Sequence, residues 1–392
     1  MQTLRLNEDE KKFADFLQRG EPHLPYEKQL VKRHKERIIA ILRGEDLPPF
    51  ELEIQPASGC DARCDHCFGK SYRRCEEKLY EKKNMDRVIS QVLNFETNGF
   101  KVEIVKFCGS TGEPLVNPLT IHAIEEVYGK RFLRLFTNGI RIAKNKDNDD
   151  YLKTLSKINR LDISLDAGTT QTLNRIKPGS VGIRLEEILE GVCRITELSK
   201  NGSNIEFGYV ITNHNYHEIV EATRKIKDII GRGLIRFRID LTDRSVSENH
   251  GDEINSLLKE AKDYENEDRS FKIVPVHSQE QIREKDKACF SSKECGFNCF
   301  VSRLWTCIGS DANVYPCGHV ARRDAENYGS VLEKDLSDIW QSEYRKKVID
   351  KLPSRKCDVC SPFSLRANEF ITFLSGLHLS KVEELVGGYE NA

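Results

Sequence analysis

Cys60-Asp61-Ala62-Arg63-Cys64-Asp65-His66-Cys67 sets three thiols in the spacing C-x3-C-x2-C, directly after a strand-like stretch from Phe50 to Ile54. Thiols this close in sequence can converge on one soft metal centre. Iron–sulfur clusters are normally held by four thiolates. A compact set of three therefore suggests a [4Fe–4S] cluster with one iron left open to an exogenous ligand. Structural zinc is the competing reading, although zinc thiolates more often come as C-x2-C pairs with a second pair or histidines downstream.

The 392 residues, 38% of them hydrophobic, suffice for two or three domains with a sizeable core. Sixty-one basic residues stand against 62 acidic ones, so bulk charge offers no attraction to nucleic acid. No apolar run approaches the ~18 residues that span a bilayer. The start, Met1-Gln2-Thr3-Leu4-Arg5, lacks a signal-peptide core. Thirteen cysteines without an export signal read as reduced thiols holding metal, and a cytoplasmic setting is expected.

Residues 1–49 read as a helical extension. Asn7 is positioned to cap a first helix carrying Phe13, Phe16 and Leu17, and Pro25 to open a second that stops at Gly44. From residue 50 the pattern alternates. Strand-like runs fall at 50–56, 101–107, 131–137, 160–166, 204–211 and 234–241. Amphipathic stretches lie at 84–97, with Asn84 as cap, and at 118–128, 149–158, 170–199 and 216–230, and a helix at 252–265 follows. Six strands each followed by a helix predict a parallel α/β sheet, with active residues at the C-terminal strand ends. The stretch 244–288 is polar and reads as helix plus linker. Seven of the thirteen cysteines then crowd into 289–360. The expected divisions are 1–49, 50–285 and 286–392.

With the aromatic His66 just before its last thiol, the opening octad resembles the signature of the radical S-adenosylmethionine (SAM) superfamily. The resemblance implies a (βα)6 partial TIM barrel. It also implies a [4Fe–4S] cluster on Cys60, Cys64 and Cys67 whose open iron chelates the amino and carboxylate groups of SAM. Further positions follow in order. Cys108-Gly109-Ser110-Thr111-Gly112-Glu113-Pro114 resembles the family's Gly-Gly-Glu-Pro loop, which holds the SAM amino group. Two adjacent glycines are usual there and are missing here, but Gly112, Glu113 and Pro114 match. Phe136-Thr137-Asn138-Gly139 matches a Thr-Asn-Gly turn of the superfamily, which adds Asn138. Alternation along Leu161–Ala167 puts Asp162, Ser164 and Asp166 on one face, where polar side chains are costly unless they bind something. The resemblance makes Ser164 a SAM contact, followed by Asp166, and places the ribose or adenine near Val210-Ile211-Thr212-Asn213.

Cys299-x17-Cys317 followed by Cys357-x2-Cys360 makes a four-thiolate set, and Leu304 to Cys317 reads as a hairpin turning near Asp311 to Asn313. Tetrahedral zinc would suit these thiols equally well. The segment resembles the SPASM and twitch auxiliary-cluster domains of radical SAM enzymes. That implies an α+β domain ending in a helix and holding an auxiliary [4Fe–4S] cluster. Cys360 is the last cysteine, so one auxiliary cluster is expected. Cys289 and Cys295 are alternatives to Cys299. Cys307, Cys75 and Cys193 read as packing thiols.

The resemblance implies reductive cleavage of SAM to a 5′-deoxyadenosyl radical that abstracts hydrogen from substrate, with an electron donor such as flavodoxin or ferredoxin. A small polar substrate of sugar or aminocyclitol type is expected, leading to oxidation or deoxygenation. Arg236, Arg238, Asp240 and His319 are candidate contacts, or equally ion-paired residues. The alternative is a maturase that crosslinks or epimerises a ribosomally made peptide. Such enzymes frequently carry a separate N-terminal leader-binding domain containing strands, which the helical first 49 residues lack. A third reading is a non-catalytic metal-binding protein.

Overall fold

The computed structural model describes residues 7–18, 26–67, 69, 77–110, 112–199, 204–240, 243, 245–276, 291–321 and 325–391. Cys75, Cys289, Thr111, Pro25 and the expected boundary near residue 285 lie outside them. Twelve strands are present among these residues. β1 (Glu51–Ile54) is followed by a small separate hairpin, β2 (Glu96–Thr97) with β3 (Phe100–Lys101). Then come β4 (Ile104–Phe107), β5 (Phe132–Thr137), β6 (Arg160–Ser164), β7 (Asn204–Ile211), β8 (Gly233–Ile239) and β9 (Phe271–Pro275). β10 (Trp305–Ile308), β11 (Asn313–Tyr315) and β12 (Gly329–Ser330) complete the set. Apart from the hairpin, they form one sheet in the order β12-β11-β10-β1-β4-β5-β6-β7-β8-β9. Every neighbouring pair from β10 to β9 is parallel, and only the β10–β11 and β11–β12 pairs are antiparallel.

The six expected strands form, with crossover helices at Lys82–Asn94, Leu119–Val127, Asp149–Leu155, Leu185–Leu198 and Ile219–Ile230, as a partial barrel requires. Four local expectations are corrected. Asn84 is not a cap: the helix starts at Lys82 behind Glu81, and the Asn84 side chain donates to the Lys78 carbonyl at 3.0 Å. The run 170–199 is two helices, Thr170–Ile176 and Leu185–Leu198, because Pro178 opens a short turn between them. The helix expected at 252–265 spans Ser245–Lys262. The polar stretch after it contains β9, with Phe271, Ile273 and Val274 buried. Its outer edge is blunted by Glu265, which accepts from the Ile273 N–H at 2.7 Å, and by Pro275.

On the inner face of the barrel strands, charges alternate. Lys106 pairs with Glu51 (3.2 Å) and Glu53 (2.6 Å), and Arg134 reaches Glu51 at 2.9 Å. Asp162 receives Arg236 (2.6 Å), Arg160 (3.2 Å) and Arg134 (3.7 Å). Glu206 closes the series with Arg236 at 2.8 Å and with Arg160. Burial pushes the Glu51 carboxyl up, but Lys106 and Arg134 outweigh it and bring the group down to about 2. Asp162 is likewise held below the usual carboxylate range, because three guanidinium groups overcome its burial.

The N-terminal helices, Glu8–Gln18 and Tyr26–Leu42, lie against the C-terminal helices Pro362–Ser375 and Leu379–Gly387. Asn7 and Glu10 exchange hydrogen bonds in a capping box, at 2.9 and 2.8 Å. Phe13 and Phe16 pack at a tilt around Phe370, with centroids 5.9 and 5.3 Å away. Buried Glu27 accepts from Arg366. These residues form a second core beside β10. Among the described residues, no helix is long and apolar enough to cross a membrane.

Asp162→Ala strands three guanidinium groups and should cost about 3–5 kcal/mol, read as a lowered urea midpoint. Glu51 has a depressed native pKa, so its contribution is complete above 4.5 and fades as pH falls towards 2. Acid unfolding of the wild type should therefore steepen across that window, and Glu51→Gln should flatten it.

Candidate functional site

The cysteine loop leaves β1 and is pinned by groups from four other segments. Glu77 accepts from the Ser58 and Gly59 N–H groups at 3.0 and 3.1 Å. The Glu113 N–H donates to the Gly59 carbonyl at 2.8 Å. Asp61 takes Asn138 Nδ2 at 2.9 Å and Arg141 Nε at 2.8 Å. From the far side, the Gly179 N–H donates to the Ala62 carbonyl at 2.9 Å. Two contacts demand glycine, since a Cβ on Gly112 would lie 2.0 Å from the Ala57 oxygen and one on Gly179 1.5 Å from the Asp61 oxygen. The loop itself uses a left-handed residue, Arg63 (φ 59°).

Held this way, Cys60, Cys64 and Cys67 sit close enough for the other two to act on Cys64 as charges. Burial pushes the Cys64 thiol up to about 12, and Lys177 opposes that rise. Lys177 is itself 1% exposed and pairs with Asp166 at 2.9 Å. Thiols so placed become ligands only when a strongly electrophilic centre displaces their protons.

The other expected SAM contacts are distributed unevenly. Glu113 is buried at the end of the β4 loop, where it accepts from Thr137 Oγ1 (2.7 Å), Asn138 N–H (2.8 Å) and Leu115 N–H (3.2 Å). Burial raises it to about 7 against those three donors, so an added cation beside it would hold it ionised. A carboxylate accepts about four hydrogen bonds, which leaves room for one more. Pro114 opens the short turn beyond it. Asn138 spans Asp61 and the Cys60 sulfur, the latter at 3.8 Å. Ser164 ends β6 half-buried.

Asp166 does not continue the face of Asp162 and Ser164, because the strand has ended and φ at Asp166 is 59°. Its oxygens are taken by Lys177 and by the Val210 N–H at 2.7 Å. Thr212 and Asn213 are tied to Asn215, Asp243 and Ser245. Lys177, Gly179, Arg141 and Glu77 escaped the sequence reading. Only Pro178-Gly179 carries a signal, that of a tight turn.

The second set assembles where β10 and β11 meet the C-terminal segment. Cys317 senses Cys299, Cys357 and Cys360 together, and burial drives its thiol well up. Cys299 is raised to about 12 for the same reason. Cys295 is engaged in a disulfide, against the expectation of reduced thiols, and Cys299 lies beside Cys317. Cys307 is fully buried with its sulfur 3.8 Å from Glu53. Cys193 departs from the expectation of a buried thiol: it is half-buried on its helix, 3.8 Å from Glu197. Among the described residues, no group of three or more His, Cys, Asp or Glu side chains is arranged to hold a single metal ion.

Between the two thiol sets lies the mouth of the barrel. Arg236 is absorbed into the charge series described above. Arg238 is not: its side chain is accessible to solvent, yet Asp166, Asp240 and Cys108 lie around it. It makes no ion pair with any described residue. His319 and His66 both feel its charge. Burial lowers His319 to about 4, with Glu53 opposing. Asp240 is buried just past the end of β8.

A parallel partial barrel with a three-thiol loop after its first strand, joined to four more thiols gathered between a hairpin and the C-terminal segment, defines a class. Residues 54–226 match the radical SAM superfamily, and residues 299–361 match the SPASM iron–sulfur cluster-binding domain. The chain is a radical SAM superfamily protein with a C-terminal SPASM domain, and its cofactors are SAM, a [4Fe–4S] cluster and auxiliary iron–sulfur. A tungsten-containing aldehyde ferredoxin oxidoreductase cofactor-modifying protein of Pyrococcus furiosus is 23% identical over 315 residues, 74% of this chain and 81% of the relative. SuiB of Streptococcus suis, solved with its precursor peptide SuiA, superposes with a TM-score of 0.55 at 17% identity, over 87% of this chain and 76% of that one. The anSMEcpe structure with AdoMet and the Cp18Cys peptide gives 0.52 at 17% identity, over 88% and 99%. These structural likenesses establish the shared fold.

Gly179→Ala should push the cysteine loop off its seat and lower the iron bound at the first site, leaving auxiliary iron in place. Cys357→Ala should do the reverse. Iron per chain, with Mössbauer spectra to separate the two sites, checks both.

Proposed function

We propose that this protein is a radical SAM enzyme that modifies a peptide, with Cys60, Cys64 and Cys67 as ligands of the SAM-binding cluster. Cys299, Cys317, Cys357 and Cys360 would hold the auxiliary cluster. The donor chemistry fits: three converging thiols leave one iron open, and buried Glu113 has acceptor capacity left for an ammonium group. Gly112 and Pro114 shape the loop that carries Glu113, and Asn138 ties that loop to the cysteine loop. Ser164 stands at the strand end facing the same mouth. Asp166 is then a positioning residue, holding Lys177 beneath Cys64. When bound, SAM and its cluster supply a radical able to take hydrogen from substrate.

The peptide reading rests on one observation. The chain spans 99% of anSMEcpe, whose structure carries a peptide, so no separate leader-binding domain is required for that kind of substrate. The expected sugar or aminocyclitol has less support. A small polar molecule stays as the second reading because the curated relative modifies a cofactor by its name and Arg238, with no ion pair among the described residues, offers a cation to a compact anion. In either case Arg238 orients the substrate between the two thiol sets. A donor of flavodoxin or ferredoxin type would supply reducing equivalents.

Anaerobic reconstitution with iron and sulfide, then dithionite and SAM, should yield 5′-deoxyadenosine. Its absence from a fully loaded protein would return the chain to the class of non-catalytic metal proteins. Peptides encoded beside the gene should raise turnover, and mass shifts in them identify the reaction. If only small molecules respond, the second reading holds. Arg238→Gln should keep basal SAM cleavage while lowering product formation about 10- to 100-fold, the worth of one charge-assisted hydrogen bond.

A further inference from the structure

Two of the four auxiliary thiols differ from the first three in what surrounds their sulfurs. The Ser292 N–H points at Cys360 Sγ from 3.4 Å, and the Ser292 hydroxyl lies 3.6 Å from the same sulfur. The Ser354 hydroxyl lies 3.7 Å from Cys357 Sγ. The Val320 N–H and the Ser302 hydroxyl donate instead to the carbonyls of Cys317 and Cys299, at 3.3 and 3.1 Å. By contrast, Cys64 and Cys67 have no donor to sulfur among the described residues, and Cys60 has Asn138 Nδ2 at 3.8 Å.

The direction of the two hydroxyl bonds follows from their other partners. Ser292 Oγ accepts from Asn368 Nδ2 at 2.8 Å, and Asn368 in turn is buried and fixed by accepting from the Phe300 and Val301 N–H groups at 2.8 and 2.9 Å. Ser354 Oγ accepts from the Lys356 N–H at 3.2 Å. Each oxygen is thus committed as an acceptor on one side, and its own hydrogen is left for the sulfur.

Reducing an iron–sulfur cluster adds negative charge, much of it on sulfur, and donors to sulfur stabilise the reduced form more than the oxidised one. We propose that Ser292 and Ser354 are redox-positioning residues that raise the reduction potential of the auxiliary cluster above that of the SAM-binding cluster. This inference rests on the assignment of Cys357 and Cys360 as cluster ligands and is independent of which substrate is correct.

The test is EPR-monitored redox titration of the reconstituted full chain, with iron counted first. Ser292→Ala and Ser354→Ala should each shift the auxiliary cluster towards the oxidised form at fixed poise. The double variant should shift its ratio about tenfold, equivalent to ~59 mV for one electron. The SAM-binding cluster should keep its midpoint, and Ser354→Thr, which retains the hydroxyl, should behave as wild type. An unchanged auxiliary midpoint in the fully loaded double variant overturns the proposal. Should the alanine variants fail to load, electron–nuclear double resonance of the wild type in D2O decides instead. Exchangeable hydroxyl couplings on the reduced auxiliary cluster support the proposal, and their absence overturns it. If Cys357→Ala retains both clusters, the ligand assignment fails and the proposal with it.

Discussion

Charge neutrality inside the barrel is the condition on which the rest of this structure depends. Four acids, Glu51, Glu53, Asp162 and Glu206, face four bases, Lys106, Arg134, Arg160 and Arg236, across strands β1 to β8. A barrel of this size usually fills its interior with branched apolar side chains. Here the filling is ionic, and each member is stable only while its neighbours are present. The pairing is specific in register, so it resists slippage of one strand against the next. The mouth above it, where the cysteine loop and Glu113 lie, inherits that fixed geometry.

The SPASM segment does not sit apart from the barrel. β10 pairs in parallel with β1, Leu52 opposite Thr306 and Ile54 opposite Ile308. The strand that launches the first cysteine loop is therefore the one to which the auxiliary hairpin is zipped. One sheet carries both thiol sets, and Gln55 reinforces the join by donating to the Gly318 carbonyl at 3.2 Å, one residue past Cys317. Relative motion of the two sites would require breaking the sheet. The N-terminal helices add to this by packing on the C-terminal pair rather than standing free.

Much of this was readable from residue patterns, and the failures have physical causes. The six barrel strands and the two thiol sets follow from alternation and spacing. β9 escaped because five residues, Phe271 to Pro275, are embedded in a charged stretch that masks their period. Asn84 has the right residue type for a cap but lies inside the first turn, since Glu81 already supplies the extended backbone before it. Strand periodicity puts Asp166 on the face of Asp162 and Ser164, but β6 ends at Ser164 and the left-handed backbone of Asp166 breaks the alternation. Of the interior ion pairs only Arg236 carries a signal, as a residue open to an ion-paired reading, whereas Lys106 and Arg134 look like solvent-facing residues until closure of the barrel encloses them. Lys177 and Gly179 act across tertiary contacts that no local motif encodes.

The pairing of β1 with β10 also orders events on the ribosome. β1 emerges early and finds β4 soon after, yet its second neighbour is made roughly 250 residues later, a separation that slows closure of such contacts. Throughout synthesis one edge of β1 stands as an unpaired template for foreign strands. The nascent chain therefore presents its first cysteine loop before the hairpin that will flank it.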